Sequence, residues 1–333
     1  MHKITAAITG IGTFLPEKVL DNAALEQMVD TNDEWIVTRT GIHERRILDI
    51  PGKATAYMAT EAVRDLMRKT GVSALEIDLI IVATATPDMP VVATAAQVAT
   101  ELGATNAFSF DLQAACSGFL YGMSVATAYI ESGRYKKVVL VGADMMSSIV
   151  DFTDRTTCIL FGDGAGAALV EPNTEGLGFI DEYLRSNGVG KDHLGIKAGG
   201  SLHPATEQTV AEKKHYIYQD GKVVFKFAVT HMADAAAEIM SRNGLNHEDV
   251  RYLVAHQANK RIIDATAQRM GIGEEKVLMN IGRYGNTTAA TIPLLLGDYE
   301  SLLQKGDNIV VAAFGAGFTW GAALIKWAYT KQD

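Results

Sequence analysis

Apolar positions along this chain follow two rhythms. Short apolar runs predict strands with both faces covered: "ITAAITGIGTFLP" (4–16), "IDLIIVATATP" (77–87), "KKVVLVGAD" (136–144), "GAGAALVEP" (164–172), "RYLVAHQAN" (251–259), "NIVVAAFGAG" (308–317) and "WGAALIKW" (320–327). Between them, stretches such as "TAYMATEAVRDLMRKTG" (55–71) and "THMADAAAEIMSRNG" (230–244) carry the apolar stripe of amphipathic helices. Strands alternating with helices predict a layered α/β fold whose sheets are buried under helices.

The pattern also repeats. "RDLMRKTGVSALEIDLIIVAT" (64–84) is similar to "AEIMSRNGLNHEDVRYLVAH" (237–256), each a helix, a glycine, a short acidic linker and an apolar strand. "KVVLVGAD" pairs with "NIVVAAFG", and "FGDGAGAALV" (161–170) with "FGAGFTWGAALI" (314–325). Offsets of this size are far longer than solenoid repeats, so two similar halves, 1–174 and 175–333, are expected to meet near "PNTEG" (172–176). The polar, Gly-rich segment 186–222 has no clear period. It reads equally as a functional cover or as a plain surface insertion.

Only two cysteines occur. In "DLQAACSGFLYG" (111–122), Cys116 follows a strand pattern and precedes a helix with apolar Phe119, Leu120, Met123, Ala126, Tyr129 and Ile130. Unpaired N–H groups and the positive dipole end at such a helix start favour thiolate and can hold an oxyanion. Free cysteine is also among the most buried residue types, and burial alone would leave it inert. Cys158, at what reads as a strand start in "TTCILFGDG", has no helix after it and reads as inert. "VAHQANKR" puts His256 at the carboxyl end of a strand, where α/β sites gather. "NIGRYGNTTAA" puts Asn286 before a small-residue helix, in the place of the second half that Cys116 takes in the first. Together these offer a nucleophile, a proton-handling group and an amide donor.

Composition narrows the classes. With 48% hydrophobic and 21% charged residues the chain is an ordinary globular one, and its net charge of −9 disfavours nucleic acid as a partner. No apolar run is long enough for a transmembrane helix, the N-terminal residues lack a secretory pattern, and two cysteines cannot build a disulfide framework. A cytoplasmic protein is therefore expected. No CxxC or paired-His spacing suggests a metal.

Taken in order, "TNDEWIVTRTGIHERR", "DLQAACSGFLYG", "FGDGAGAALV", "HQANKRI", "GRYGNTTAAT" and "FGAGFTWGAALI" resemble the β-ketoacyl-acyl-carrier-protein synthase III family, from about residue 4 to 328. The resemblance implies a thiolase-like α-β-α-β-α fold and a homodimer. It implies a decarboxylating Claisen condensation of an acyl-CoA primer with malonyl-acyl-carrier protein, the first step of type II fatty-acid synthesis. By resemblance, Cys116 accepts the acyl group, while His256 and Asn286 bind the malonyl thioester carbonyl and promote loss of carbon dioxide. Neutral donors suit the enolate that forms, and a carboxylate there would repel it. The N–H groups of Cys116 and Ala316 match the oxyanion hole. Trp35 and Arg155 match the pair that sandwiches the adenine of coenzyme A, Thr31 and Arg39 match neighbouring positions, and Asn259 matches a contact to the pantetheine arm. Lys226, Lys260 and Arg261 are expected to form a basic rim for the acidic carrier protein, with Gln257 beside them, although these charges could equally be scattered and solvated. No cofactor is implied, since acyl-CoA is a substrate. Val91 or Val92 falls where some relatives send a bulky Phe into the partner subunit's acyl pocket, which would admit a longer or branched primer. A thiolase would carry a second cysteine in "FGAGFTWG", and none is there. A condensing enzyme or thioesterase of specialised metabolism with the same Cys-His-Asn set is the alternative.

Overall fold

The computed structural model describes residues 4–331. Its framework is two sheets. The first uses β1 (Thr5–Phe14), β2 (Leu79–Ala83), β3 (Phe108–Leu112), β4 (Val138–Asp144) and β5 (Gly164–Asn173), in the order β1-β5-β4-β2-β3. The second uses β6 (Gly178–Ser186), β7 (Tyr252–Ala255), β8 (Asn308–Gly315) and β9 (Thr319–Lys326), in the order β7-β8-β9-β6. In the first sheet β3, β2 and β4 run parallel and β4 continues into antiparallel β5 and β1; in the second β7 and β8 run parallel and β8 continues into antiparallel β9 and β6. The counterpart of β3 in the second sheet has shrunk to a single parallel bridge, Leu253 to Val277. The same path is thus traced twice, which is the duplication the repeats predict.

Seven helices matter for the site: α1 (Asp33–Thr40), α2 (Thr55–Thr70), α3 (Thr94–Leu102), α4 (Gly118–Glu131), α5 (Gly221–Arg242), α6 (Lys260–Met270) and α7 (Thr291–Asp298). They form the outer and middle layers. Alternate residues of β4 show why both strand faces are apolar: Val139 and Val141 join Ala59, Val63 and Leu66 of α2, while Val138 and Leu140 join Phe119 and Met123 of α4. That inner cluster continues through Ile292 and Leu295 of α7 to Val311 and Ala323 of the second sheet. Val310 and Leu324 face the other way, onto Met232 and Ile239 of α5 and Ile263 of α6. Each fully buried Val, Leu, Ile, Phe or Met among them contributes about 1.5–3 kcal/mol by leaving water. The result is the α-β-α-β-α sandwich.

Sequence and structure differ in places. Helix α5 begins nine residues before the expected 230, because Asp220 caps it through Val223 N–H and "KVVFKFAV" carries the same apolar stripe. Strand β6 escapes the apolar pattern because "GFIDEYLRS" is an edge strand with one half-exposed face. Cys158 lies in a turn, packed with Leu25, Ile36 and Ile159, and not in a strand. No helix among the described residues is long and apolar enough to cross a membrane.

Candidate active site

The turn carrying Cys116 is shaped by one strained residue. Ala115 takes a left-handed φ of 46°, and a 3-10 turn over Ala115–Ser117 runs straight into α4. Thr319 of β9 holds this turn from outside: its Oγ1 donates to Ala114 O at 2.8 Å, and its carbonyl accepts from Ser117 Oγ at 3.1 Å. The end of β8 approaches so closely that a Cβ on Gly315 would stand 2.7 Å from Cys116 N. Only glycine permits that approach. It brings Ala316 beside Cys116, and neither residue's N–H finds a backbone acceptor among the described residues.

The second half repeats the device and corrects its register. Thr288 is left-handed at φ 50°, and a 3-10 turn over Thr288–Ala290 leads into α7. Aligning the two strained residues places Ala289 opposite Cys116, so Asn286 corresponds to Gln113 and does not occupy the nucleophile's mirror position. Asn286 is fixed by its own backbone, with N–H to Leu160 O at 2.8 Å and its carbonyl accepting Gly162 N–H at 3.0 Å. Its Oδ1 accepts Thr288 N–H at 2.9 Å, which leaves Nδ2 as the free end of the amide.

Cys116, His256 and Asn286 line one cavity of about 930 Å³, together with Gly315 and Ala316. All three side chains are buried. His256 follows β7 directly, its backbone N–H held by Ala312 O at 2.8 Å, and neither ring nitrogen has a hydrogen-bond partner. Burial pulls its imidazole down to about 3, so it is neutral at physiological pH. Burial, and then the Asp144 carboxyl, push the Cys116 thiol up to about 12; its own N–H and the Asn286 side chain act the other way. The resting group is therefore a thiol, where the helix start alone led to thiolate: desolvation outweighs the dipole. Cys158 is also pushed up, to about 11, by burial.

The cavity opens beside Trp35 and Arg39. The guanidiniums of Arg39 and Arg155 stand 6.0 and 5.6 Å from the centre of the Trp35 ring. Arg155 also donates to Asp30 O at 2.8 Å. That spacing is a direct cation–π contact, so a base entering between Trp35 and Arg155 must displace the arginine. Thr31 is near these residues in sequence but does not line the cavity. Asn259 does line it, and is already used: its Oδ1 caps α6 through Arg261 N–H, and its Nδ2 donates to Arg39 O at 2.9 Å. Lys226, Lys260 and Arg261 are exposed; Lys260 pairs with Asp264 at 2.8 Å, and Arg261 stacks on Phe225. Gln257 is a correction. It is fully buried, donating to Ala255 O and accepting the N–H groups of Asn280 and Ile281, so it cannot face a carrier protein.

Several lining residues escaped the sequence. Leu194, Gly195, Ile196 and Ile217 come from the 186–222 segment, which therefore walls the cavity. Lys222 and Phe225 add to its mouth from the first turn of α5. Val91 and Val92 do not line it; both are exposed, Val91 fully and with a left-handed φ of 78°.

The chain is similar to known proteins along nearly its whole length. Family models described as 3-oxoacyl-[acyl-carrier-protein (ACP)] synthase III and as its C-terminal part match residues 110–188 and 240–327. The chain is 57% identical to the beta-ketoacyl-[acyl-carrier-protein] synthase III of Chlorobium phaeovibrioides, over 97% of this chain and 100% of that one. It is 54% identical to the beta-ketoacyl-[acyl-carrier-protein] synthase III 2 of Bacteroides thetaiotaomicron, over 99% and 98%. The crystal structure of 3-oxoacyl-[acyl-carrier-protein] synthase III from Aquifex aeolicus superposes with a TM-score of 0.88 at 41% identity, over 97% and 100% of the two chains. Identity above one half along nearly the whole of both chains, on the same fold, makes this chain a member of the 3-oxoacyl-[acyl-carrier-protein] synthase III family, an acyl-transferring condensing enzyme.

Proposed function

We propose that the protein condenses an acyl-CoA primer with malonyl-acyl-carrier protein, through an acyl-Cys116 intermediate, to give 3-oxoacyl-acyl-carrier protein and carbon dioxide. The observation that carries this reading is a neutral, unpartnered His256 sharing one cavity with a thiol and an amide end.

In the first half-reaction the Cys116 sulfur attacks the acyl-CoA carbonyl. Its proton leaves with the departing coenzyme A sulfur, so that thioester exchange gives acyl-Cys116 and free coenzyme A thiol. The tetrahedral oxyanion rests on the N–H groups of Cys116 and Ala316. In the second, His256 and the Asn286 amide donate to the malonyl thioester oxygen. Loss of carbon dioxide leaves an enolate held by these two neutral donors, and its carbon attacks the acyl-Cys116 carbonyl. Collapse expels the Cys116 sulfur, which takes up a proton. Arg39, Arg155 and Trp35 would receive the nucleotide end of coenzyme A, with Asn259 along the pantetheine arm and Thr31 in support. Lys226, Lys260 and Arg261 would meet an acidic carrier protein. A cytoplasmic homodimer, with the Val91–Val92 loop at the partner, completes the reading.

Incubation with labelled acetyl-CoA and malonyl-acyl-carrier protein tests it. Label in a 3-oxoacyl product with stoichiometric carbon dioxide is expected. Release of free acid without a new carbon–carbon bond would refute it and favour a thioesterase.

A further inference from the structure

Asp144 closes β4, is completely buried, and takes no part in the steps above. Its Oδ1 accepts from Ala85 N at 2.7 Å, Thr86 N at 3.1 Å, and the hydroxyls of Thr84 and Thr86 at 3.0 Å each. Its Oδ2 accepts from Ala289 N at 3.1 Å and from the Thr288 hydroxyl. One oxygen is thus tied to the end of β2 in the first half, the other to the strained turn of the second. Thr288 is β-branched and left-handed, a backbone that such a residue resists unless its surroundings impose it. The two bonds to Oδ2 are what the turn offers in return.

We propose that Asp144 is a positioning residue for Asn286, acting across the interface between the halves through Thr288. Oδ2 holds the Thr288 hydroxyl and the next N–H. Thr288 N–H in turn holds Asn286 Oδ1, so the amide keeps Nδ2 toward the cavity. The inference rests on the reading that Asn286 donates to the malonyl thioester. It predicts that breaking the link harms decarboxylation, where Asn286 donates to the malonyl oxygen, more than acyl transfer to Cys116, where Asn286 meets only the thiol.

The test compares Asp144→Asn, Thr288→Val, Thr288→Ser and Asn286→Ala in the full-length enzyme. Mass spectrometry reads transfer from acetyl-CoA to Cys116, and carbon dioxide release reads turnover of malonyl-acyl-carrier protein. Asp144→Asn and Thr288→Val should lower carbon dioxide release by roughly tenfold or more, with acyl transfer lowered by no more than about threefold. Thr288→Ser, which keeps the hydroxyl, should match the parent in both. Equal loss of both half-reactions, no loss in either, or no difference between Thr288→Val and Thr288→Ser would overturn the proposal. Failure of both Asp144→Asn and Thr288→Val to fold would overturn it too, since the link would then serve the whole fold. Normal decarboxylation by Asn286→Ala would refute the role given to Asn286 itself; its loss there but not in Asp144→Asn would refute the role of Asp144 alone.

Discussion

At the scale of single residues, His256 ties the chemistry to stability. Burial keeps it neutral down to about 3, against 6.5 when free. As pH falls, the unfolded chain takes up this proton first, so the associated stability is complete above 6.5 and is lost between 6.5 and 3. The folded state should be about 2 kcal/mol less stable at pH 5 than at pH 7 on this account. Denaturant titration of the parent and of His256→Gln would show it; identical pH dependence in both would contradict it. Gly315 makes a second residue-scale claim. Alanine there would press on Cys116 N, from 2.7 Å, and misplace one oxyanion donor, cutting condensation by roughly 10²–10³ with the fold retained. Steady-state rates of Gly315→Ala, alongside its circular dichroism, decide this. At this scale the sequence named three groups that meet in the cavity but not what holds them. Asp144 stands in plain view at the end of "VVLVGAD", yet a buried carboxylate satisfied by six donors looks the same in sequence as an acidic strand end. Gln257 misled because "HQAN" places it beside His256, while the pleat after β7 turns it inward.

At the scale of elements, the middle layer decides where the turns sit. The turn before α7 rides on β4: a Cβ on Gly142 would lie 2.1 Å from Ala289 O. Gly142→Ala should therefore cost about 1–3 kcal/mol by overpacking, whereas Gly188→Ala, which meets nothing within 4 Å, should change stability by less than about 0.5 kcal/mol. Equal midpoints for the two in a chemical melt would contradict this placement. The central strands were legible because both faces are buried and their runs are continuous. Edge strand β6 and the short strands Leu194–Ile196 and Ile217–Gln219 were not, because half-exposed positions dilute the pattern. The strained turns could not be seen either, since Ala115 and Thr288 carry no glycine to announce a left-handed backbone.

At the scale of the whole molecule, an acidic chain with net charge −9 presents Arg39, Lys222 and Arg261 at one opening, with Lys226 exposed one helical turn beyond Lys222. Against an acidic carrier, such a rim acts mainly on encounter and is screened by salt. Lys226→Glu with Arg261→Glu should raise KM for malonyl-acyl-carrier protein roughly tenfold, about 1.4 kcal/mol, with little change for acyl-CoA. Equal effects on both substrates would move the carrier elsewhere. The duplicated architecture was readable from repeats spaced by half the chain. The cavity was not, because its walls come from both halves and from the segment 186–222.

The most direct measurement is intact and peptide mass spectrometry after mixing the enzyme with acetyl-CoA, then with malonyl-acyl-carrier protein. One acyl group should appear on Cys116 alone and vanish as 3-oxoacyl-acyl-carrier protein forms. An acyl group on any other residue, or one on Cys116 that malonyl-acyl-carrier protein does not discharge, would contradict the account.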